Sequence, residues 1–571
     1  MSKFSIFPEE VFSAKRNSAL SGRSYQDERN NKSLNPQLFF FASLFIIFSI
    51  FILRLFWLTI VKGAENRSLS EENRIRLVEI EAPRGNILDR HGKVIAQSET
   101  YYEKKKGSES VQISKETAKD LEEKGLAGEN FEGTEGKIER KVKRVYELGQ
   151  EAAHVLGYVS MLQESDTKNN SLGLSANVGR LGIEATYDDF LRGENGKKLL
   201  EVDARGQNVS ILGNEAEREG KNLQLAIDAG LQRTVFAILQ KHILAAGSKK
   251  GAVIVENPNT GEILALVSFP SFDPEDIGKH VADIEKPFLN RVTSGTYPPG
   301  SVFKPVSALA GLESGAINKD TEIEDVGEFY IGEFRFPNWY FLNYGRRDGI
   351  LKIDRAIGRS NDIFFYRLGE KTGLDKIRET AIKFGFGQKT GIDLPDEALG
   401  LVPSPEWKQS SVGSDWFLGD TMHLAIGQGF MLVTPIQVNL MTSFMASGKI
   451  MKPFIVTKIG DMDINPKQIL PKFVQEGNFR LVREGMRQAC ATEGTGWPFF
   501  EAKYRVGCKT GTAERALGNP HAWFTAFAPY DRPEITITVI IEEGGEGSSV
   551  AGPVAKEILD WYFKVNSDVK K

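Results

Sequence analysis

The chain has 571 residues, 72 Lys and Arg against 76 Asp and Glu, a formal net charge of −4 and 41% hydrophobic residues, room for two to four domains at about 150 residues each. That balance excludes the basic excess of a nucleic-acid binder, and the composition excludes both a disordered chain and a multi-span membrane protein. Only two cysteines, Cys490 and Cys508, are present, which excludes a disulfide framework and a cysteine-built zinc module but leaves one bridge arithmetically open.

Residues 1–37 are polar and of mixed charge and read as a short mobile tail. Leu38–Val61 is an apolar run of 24 residues broken only by Arg54. As a helix it reaches about 36 Å, enough to cross a bilayer core of about 30 Å, with Arg54 snorkelling to the interface beside Trp57. It is longer than the apolar region of a signal peptide and no small-residue cleavage site follows, so an uncleaved anchor is preferred over a signal peptide or a buried core helix. Arg23, Arg29 and Lys32 before it are matched by Lys62, Arg67, Arg74 and Arg76 after it, so the positive-inside rule does not set its orientation.

Arg76–Gln97 reads as strand, turn, strand around Pro83-Arg84-Gly85 and Arg90-His91-Gly92. Tyr101–Arg144 is rich in Lys, Glu and Gly and reads as a solvated insert with one helix from Ser114 to Gly125. Val178–Glu201 reads as a glycine turn, a short helix and a turn back to a strand. A second composition begins near Gly220. Leu223–Ile227 is a strand, Asp228 opens a helix that runs to Gly247, and Ala252–Ser268 is a hairpin around Asn257-Pro258-Asn259-Thr260-Gly261. Ala522–Pro529 and Glu534–Glu542 are strands, and a last helix covers Val554–Phe563. Strands at both ends with helices between predict a mixed sheet whose first and last strands meet.

The six histidines are scattered with no metal-ligand spacing, residues 310–360 hold no Cys or His, and no Gly-Lys-Ser/Thr phosphate loop occurs, so neither metal nor cofactor is expected. Ser-Xaa-Xaa-Lys occurs at Ser301–Lys304 and again at Ser567–Lys570. Pro305 restricts the first copy to a helix that starts no earlier than about Ser301. Ser301 then sits at the positive helix end, where an oxyanion is favoured, with Lys304 one turn on along the same face. Taken alone, the commoner reading of such a pair is a capping serine and an exposed lysine. Lys-Thr-Gly occurs at 371–373, 389–391 and 509–511. Gly373 reads as a helix C-cap and Lys389 as part of a glycine-rich turn. Lys509 continues a β-alternating run, and a glycine-bearing strand edge lets an extended peptide lie alongside.

The order Ser301-Val302-Phe303-Lys304, Ser360-Asn361-Asp362, Lys509-Thr510-Gly511 resembles that of the class B penicillin-binding proteins, monofunctional peptidoglycan D,D-transpeptidases. The segments APRGNILDRHGKVIA, GRLGIEATYDDFLRG, NPNTGEILALVSFPSFDP, FGFGQKTGIDLPDE and GDTMHLAIGQGFMLVTPIQ carry the resemblance from the anchor to about Phe563. Tyr297-Pro298-Pro299-Gly300, Asp362 and Thr512-Ala513-Glu514 resemble the elongation branch rather than the division branch. The resemblance implies an α+β penicillin-binding, serine β-lactamase-like transpeptidase domain, an antiparallel sheet with a helical subdomain, at residues 221–565. Before it come a cytoplasmic tail (1–37), one transmembrane helix (38–61) and a mainly β pedestal (62–220); a C-terminal tail (566–571) follows.

It also implies roles. Ser301 is the acylated nucleophile, Lys304 its general base, made partly neutral by burial and the nearby Lys509 charge, Ser360 the proton relay and Asp362 its orienting group. Lys509, Thr510 and Thr512 hold the substrate carboxylate, with Asn361 and Gly511 lining the substrate, and the backbone N–H groups of Ser301 and Thr512 form the oxyanion hole. Stem peptides ending in D-Ala-D-Ala, β-lactam antibiotics, a SEDS-family glycosyltransferase and an elongation complex are the implied partners, with the catalytic domain on the outer membrane face. A D,D-carboxypeptidase, a division-type transpeptidase and a non-catalytic wall-synthesis scaffold are the alternatives. Cys508 is expected as a small buried residue. The 101–144 insert is shorter and more charged than the head of the pedestal in many elongation-type relatives.

Overall fold

The computed structural model describes residues 36–106, 109–123, 132–133, 136–162, 177–202, 208–515 and 517–569. The expected N-terminal tail, up to residue 35, and residues 570–571 lie outside the described residues. Two compact units are present, residues 1–76 and 77–571. In the first, helix α1 (Pro36–Phe56) continues through one wider turn at Trp57–Val61. Gln37–Val61 is thus a 25-residue apolar span in which no residue is buried. Its hydroxyls turn inward on the helix: Ser43 donates to the Phe39 carbonyl (2.8 Å) and Thr59 to the Leu55 carbonyl (2.7 Å). Such back-bonding hides polar groups that hydrocarbon cannot solvate.

In the second unit, β1 (Ile87–Leu88) and β2 (Val94–Lys106) are joined by the expected turn. β2 pairs antiparallel with β3 (Gly136–Tyr146), from Ala96 opposite Tyr146 to Lys105 opposite Lys137. The 101–144 segment is therefore not a solvated insert: the hairpin runs through it, and its alternating charges pair across the strands. Lys141 meets Glu103 at 2.6 Å and Lys105 meets Glu139 at 2.8 Å, an arrangement that stabilises a sheet without the apolar alternation a sequence reading looks for. The expected helix is present as α2 (Lys115–Glu123), where the Ser114 hydroxyl accepts from the Thr117 N–H at 3.1 Å. It seats Ala118 on Ile138, both buried.

A buried ionic cluster fixes this region to Gly182–Thr186 and Asp188–Leu191, the two short helices of the 178–201 segment. Glu184 is wholly buried and accepts from Arg84 (Nη2, 2.8 Å) and Arg144 (Nε, 2.7 Å), and Arg84 also pairs with Asp188 at 2.8 Å. β4 (Leu223–Leu225) pairs parallel with β1 and antiparallel with the strand Val456–Ile459, so one eight-stranded sheet runs from the N-terminal part of this unit into its C-terminal part. Across the same junction Tyr187 donates to Asp393 at 2.9 Å, and that carboxylate also accepts the N–H groups of Ile455 and Val456.

Helix α3 (Ala229–Ala245) starts where the Asp228 carboxylate accepts the Leu231 N–H at 2.9 Å. β5 (Gly251–Glu256) and β6 (Ile263–Phe269) form the predicted hairpin. With β7 (Gly507–Ala513), β8 (His521–Ala528) and β9 (Ile535–Ile541) they build a five-stranded antiparallel sheet of order β6-β5-β9-β8-β7. β5 pairs with β9, so the first and last strands of the domain meet as the sequence predicts. Alternation splits the strands between two cores: Val253 and Val255 belong with α3 and the C-terminal helix Gly552–Val569, and Ala252 and Ile254 with Met441 and Phe444 of the helix Pro435–Ser447. β7 ends the sheet, and this position places the third motif on an open edge.

Candidate active site

Ser301 lies in a tight 3-10 turn, Gly300–Phe303, that runs directly into α4 (Lys304–Glu313). Pro305 occupies the first turn of α4, where its missing N–H costs nothing. Gly300 has φ +56° and a Cβ there would stand 3.1 Å from the Thr512 carbonyl oxygen; a Cβ on Gly511 would stand 3.0 Å from Val302. The two residues flanking Ser301 therefore press against β7, and any side chain at either glycine would push the nucleophile turn away from the strand. Gly300 also donates its N–H to the Gly427 carbonyl at 2.8 Å.

Lys304 is wholly buried and reaches across to the second motif. Its Nζ lies 2.7 Å from Asp362 Oδ1, 2.7 Å from the Ser360 carbonyl oxygen and 3.4 Å from Ser360 Oγ. Ser360 closes helix α5 (Ile353–Arg359) in the left-handed conformation, φ +53°, a costly state for a residue with a Cβ. Asn361 then caps α6 (Asp362–Thr372) by accepting the Phe364 N–H at 2.9 Å. From β7, Lys509 places its Nζ 2.7 Å from Ser360 Oγ. Ser360 thus sits between two buried ammonium groups, and a single carboxylate, Asp362, accompanies them.

The electrostatics follow from that count. Burial lowers the Lys304 pKa, with the Asp362 carboxylate opposing the shift. Burial lowers the Lys509 pKa well below the ordinary lysine value, and the neighbouring Lys304 charge adds to it. The direction for Lys304 and its main cause, burial, agree with expectation, and the two lysine charges so close together oppose one another. With one anion for two ammonium groups, the pair loses a proton more readily than exposed lysines do.

The structure brings Ser301, Lys304, Ser360, Asn361, Asp362, Lys509, Thr510, Gly511 and Thr512 to one edge of the five-stranded sheet. Of the residues expected at the substrate carboxylate, Thr512 is exposed, Thr510 is buried with its hydroxyl on Thr495 at 2.8 Å, and Lys509 is wholly enclosed. The other two Lys-Thr-Gly copies are elsewhere: Gly373 is the C-cap of α6, and the Thr390 and Gly391 N–H groups are held by Glu397.

Three features escaped the sequence. Cys508 is not a lone buried residue but is bonded to Cys490, 18 positions earlier. Cys490 closes helix α7 (Glu476–Ala489) and Cys508 lies beside Lys509 in β7, so packing of helix on strand brings together two residues with no local pattern between them. Thr495, in the strap between them, supports Thr510; its Gly494-Thr495-Gly496 setting is the only hint in sequence. Asp325, Asn338 and Asp348 form a polar group behind Asp362, scattered over 24 residues without periodicity.

Residues 251–560 match the family described as the penicillin-binding protein transpeptidase domain, more than half of the chain, and residues 104–225 match the penicillin-binding protein dimerisation domain. The Escherichia coli K12 protein named peptidoglycan D,D-transpeptidase MrdA is 31% identical over 91% of this chain and 92% of its own. The chain belongs to the class B penicillin-binding proteins of the elongation branch. Among solved structures, penicillin-binding protein 2 of Helicobacter pylori in complex with MreC is 29% identical with a TM-score of 0.73, covering 86% of this chain and 99% of its own. A structure described as structural coordination of polymerization and crosslinking by a peptidoglycan synthase complex is 27% identical with a TM-score of 0.73, covering 91% and 97%. This penicillin-binding protein therefore carries the family's three motifs in one cluster, on a sheet preceded by a dimerisation-type domain and an apolar N-terminal helix.

Proposed function

We propose that this penicillin-binding protein is a peptidoglycan D,D-transpeptidase of cell-wall elongation, in which Ser301 is acylated by stem peptides ending in D-Ala-D-Ala. The observation that carries the reading is the Lys304–Ser360–Lys509 cluster, buried beside the Ser301 turn and short of one counter-charge. A neutral Lys304 amine takes the Ser301 proton as the serine oxygen bonds to the penultimate D-alanine carbonyl carbon. The Ser301 and Thr512 N–H groups receive the oxyanion. The C–N bond to the terminal D-alanine breaks, and Ser360 passes the proton on to its amine. The ester at Ser301 retains the energy of the amide until an amine of a neighbouring strand attacks, so no nucleotide is needed. Asp362 orients Lys304 and Ser360. Thr510 and Thr512 face the substrate carboxylate, with Asn361 and Gly511 along the peptide and the Lys509 charge acting on both from behind. The open edge of β7 suits an extended peptide added as a further strand. A β-lactam acylates the same serine.

Gln37–Val61 anchors the chain in the membrane, and the domain after it faces outward. The Cys490–Cys508 bond supports that orientation, since disulfides persist in oxidising compartments. The expected parts, a pedestal at 62–220 and a transpeptidase domain at 221–565, are retained in this reading. A SEDS-family glycosyltransferase is the proposed partner, supported by likeness to a structure described as a peptidoglycan synthase complex, and an MreC-type partner by likeness to the H. pylori complex.

The full chain, purified in detergent, is expected to be labelled covalently by fluorescent penicillin, and Ser301→Ala to be unlabelled. Equal labelling of both, or none of the wild type, overturns the nucleophile. Depletion in the host is expected to give round cells; filaments would assign the protein to division.

A further inference from the structure

Behind the second motif lies a buried polar relay that the acylation chemistry as described does not use. Asn338 is wholly buried and Asp325 nearly so. Asn338 Oδ1 accepts the backbone N–H of Asp362 at 3.1 Å, and its Nδ2 donates to Asp325 Oδ2 at 2.9 Å. A backbone N–H only donates and a carboxylate only accepts, so the Asn338 amide has one orientation that satisfies both. Asp325 completes its bonding with the N–H groups of Gly327 and Asp348, each at 2.8 Å, and forms no ion pair among the described residues. The next residue, Trp339, donates its N–H to Asp362 Oδ2 at 3.0 Å, while Oδ1 of the same carboxylate holds Lys304. From the other side Asp348 accepts from Arg359 (2.8 Å) and Asn361 (3.1 Å). The residues on both sides of left-handed Ser360 are thus gripped by groups that trace to Asp325.

We propose that Asn338 and Asp325 are positioning residues for acylation, acting through Asp362 to aim its carboxylate at Lys304. The inference rests on the role of Lys304 given above. No apolar side chain at 338 can replace the relay, and neither can a carboxylate, because the group must accept from Asp362 and donate to Asp325 at once. Freed from Asn338 and from the Trp339 N–H that follows it, the Asp362 carboxylate swings off Lys304. The amine then loses the anion that opposes its burial, and its proton affinity falls further.

The test is the second-order rate of acylation by fluorescent penicillin against pH, with the full chain in detergent and thermal unfolding as the folding control. Asn338→Ala is expected to slow acylation by about tenfold to a hundredfold. It is also expected to move the acid limb of the profile to lower pH by about one unit. A merely structural defect lowers the rate and leaves the limb in place. Asp325→Asn, acting from the far end of the relay, is expected to move the limb the same way and serves if Asn338→Ala does not fold. Combining Asn338→Asp with Asp325→Asn restores one donor and one acceptor across the contact and is expected to recover part of the loss seen in Asn338→Asp alone. A wild-type limb in folded Asn338→Ala and Asp325→Asn overturns the proposal while leaving Ser301 and Lys304 intact; failure of the wild type to acylate overturns the underlying reading instead.

Discussion

Two buried charge clusters in this chain are built from similar parts and behave differently. In the N-terminal part of the second unit, Arg84 and Arg144 surround Glu184, and Asp188 joins Arg84 to Arg192, so three guanidinium groups are held by two carboxylates. In the active site, Lys304 and Lys509 flank Ser360 with Asp362 as the one carboxylate. Guanidinium groups keep their protons, whereas a buried ammonium gives its proton up. On the proposed function the first cluster is a fixed staple and the second a proton-transfer device, and the difference lies in the cation chosen. Glu256 is a third case: wholly buried, bonded through one oxygen to Asn439, its other oxygen without a partner and no cation beside it, it is pushed up to about 8.

The comparison breaks most directly at Lys304→Arg, which makes the second cluster resemble the first. A guanidinium cannot act as base, so penicillin acylation is expected to fall by about 10²- to 10⁴-fold in protein that remains folded. Glu184→Gln removes the shared anion of the staple and leaves the buried Arg84 and Arg144 guanidinium groups without their common carboxylate. Its unfolding free energy is expected to drop by about 3–5 kcal/mol, read by denaturation of the full chain. Acylation per folded molecule stays unchanged if the clusters are independent; a slower rate would show that they are coupled. Replacing both Cys490 and Cys508 by Ala is expected to cost about 2–4 kcal/mol of stability and to slow acylation, because the two ends of the strap that carries Thr495 are then no longer tied to each other.

A different kind of effect, a pH slope, is expected at Glu256. Between about 4.5 and about 8 the unfolded chain has lost this proton and the native chain keeps it, so stability falls as pH rises through that window and levels off above it. The slope approaches about 1.4 kcal/mol per pH unit. Glu256→Gln is expected to flatten the curve and to be the more stable protein at pH 7; an unchanged slope would place the titration elsewhere.

Legibility followed burial. β5, β8 and β9 are buried on both faces, read as apolar runs, and were found where the sequence puts them. β2 and β3 carry their stability in cross-strand ion pairs around a small seat for Ile138, and the 101–144 segment read as a solvated insert with one helix. The three motifs were legible because each is local: a turn into a helix, a left-handed cap, a strand edge. The disulfide, the Thr495 strap and the Asp325–Asn338 relay were not, because each joins residues that only packing brings within reach.

The sequence by itself pointed to the anchor, from an apolar length broken only by Arg54, and to the chemistry, through the resemblance that its three motifs carry. Tertiary structure alone decided that both lysines are buried beside one carboxylate, which threonine of the third motif is exposed and what holds Asp362 in place. Those properties depend on burial and on distances between segments far apart in the chain, and a proton's affinity is set by every charge around it, not by its neighbours in sequence.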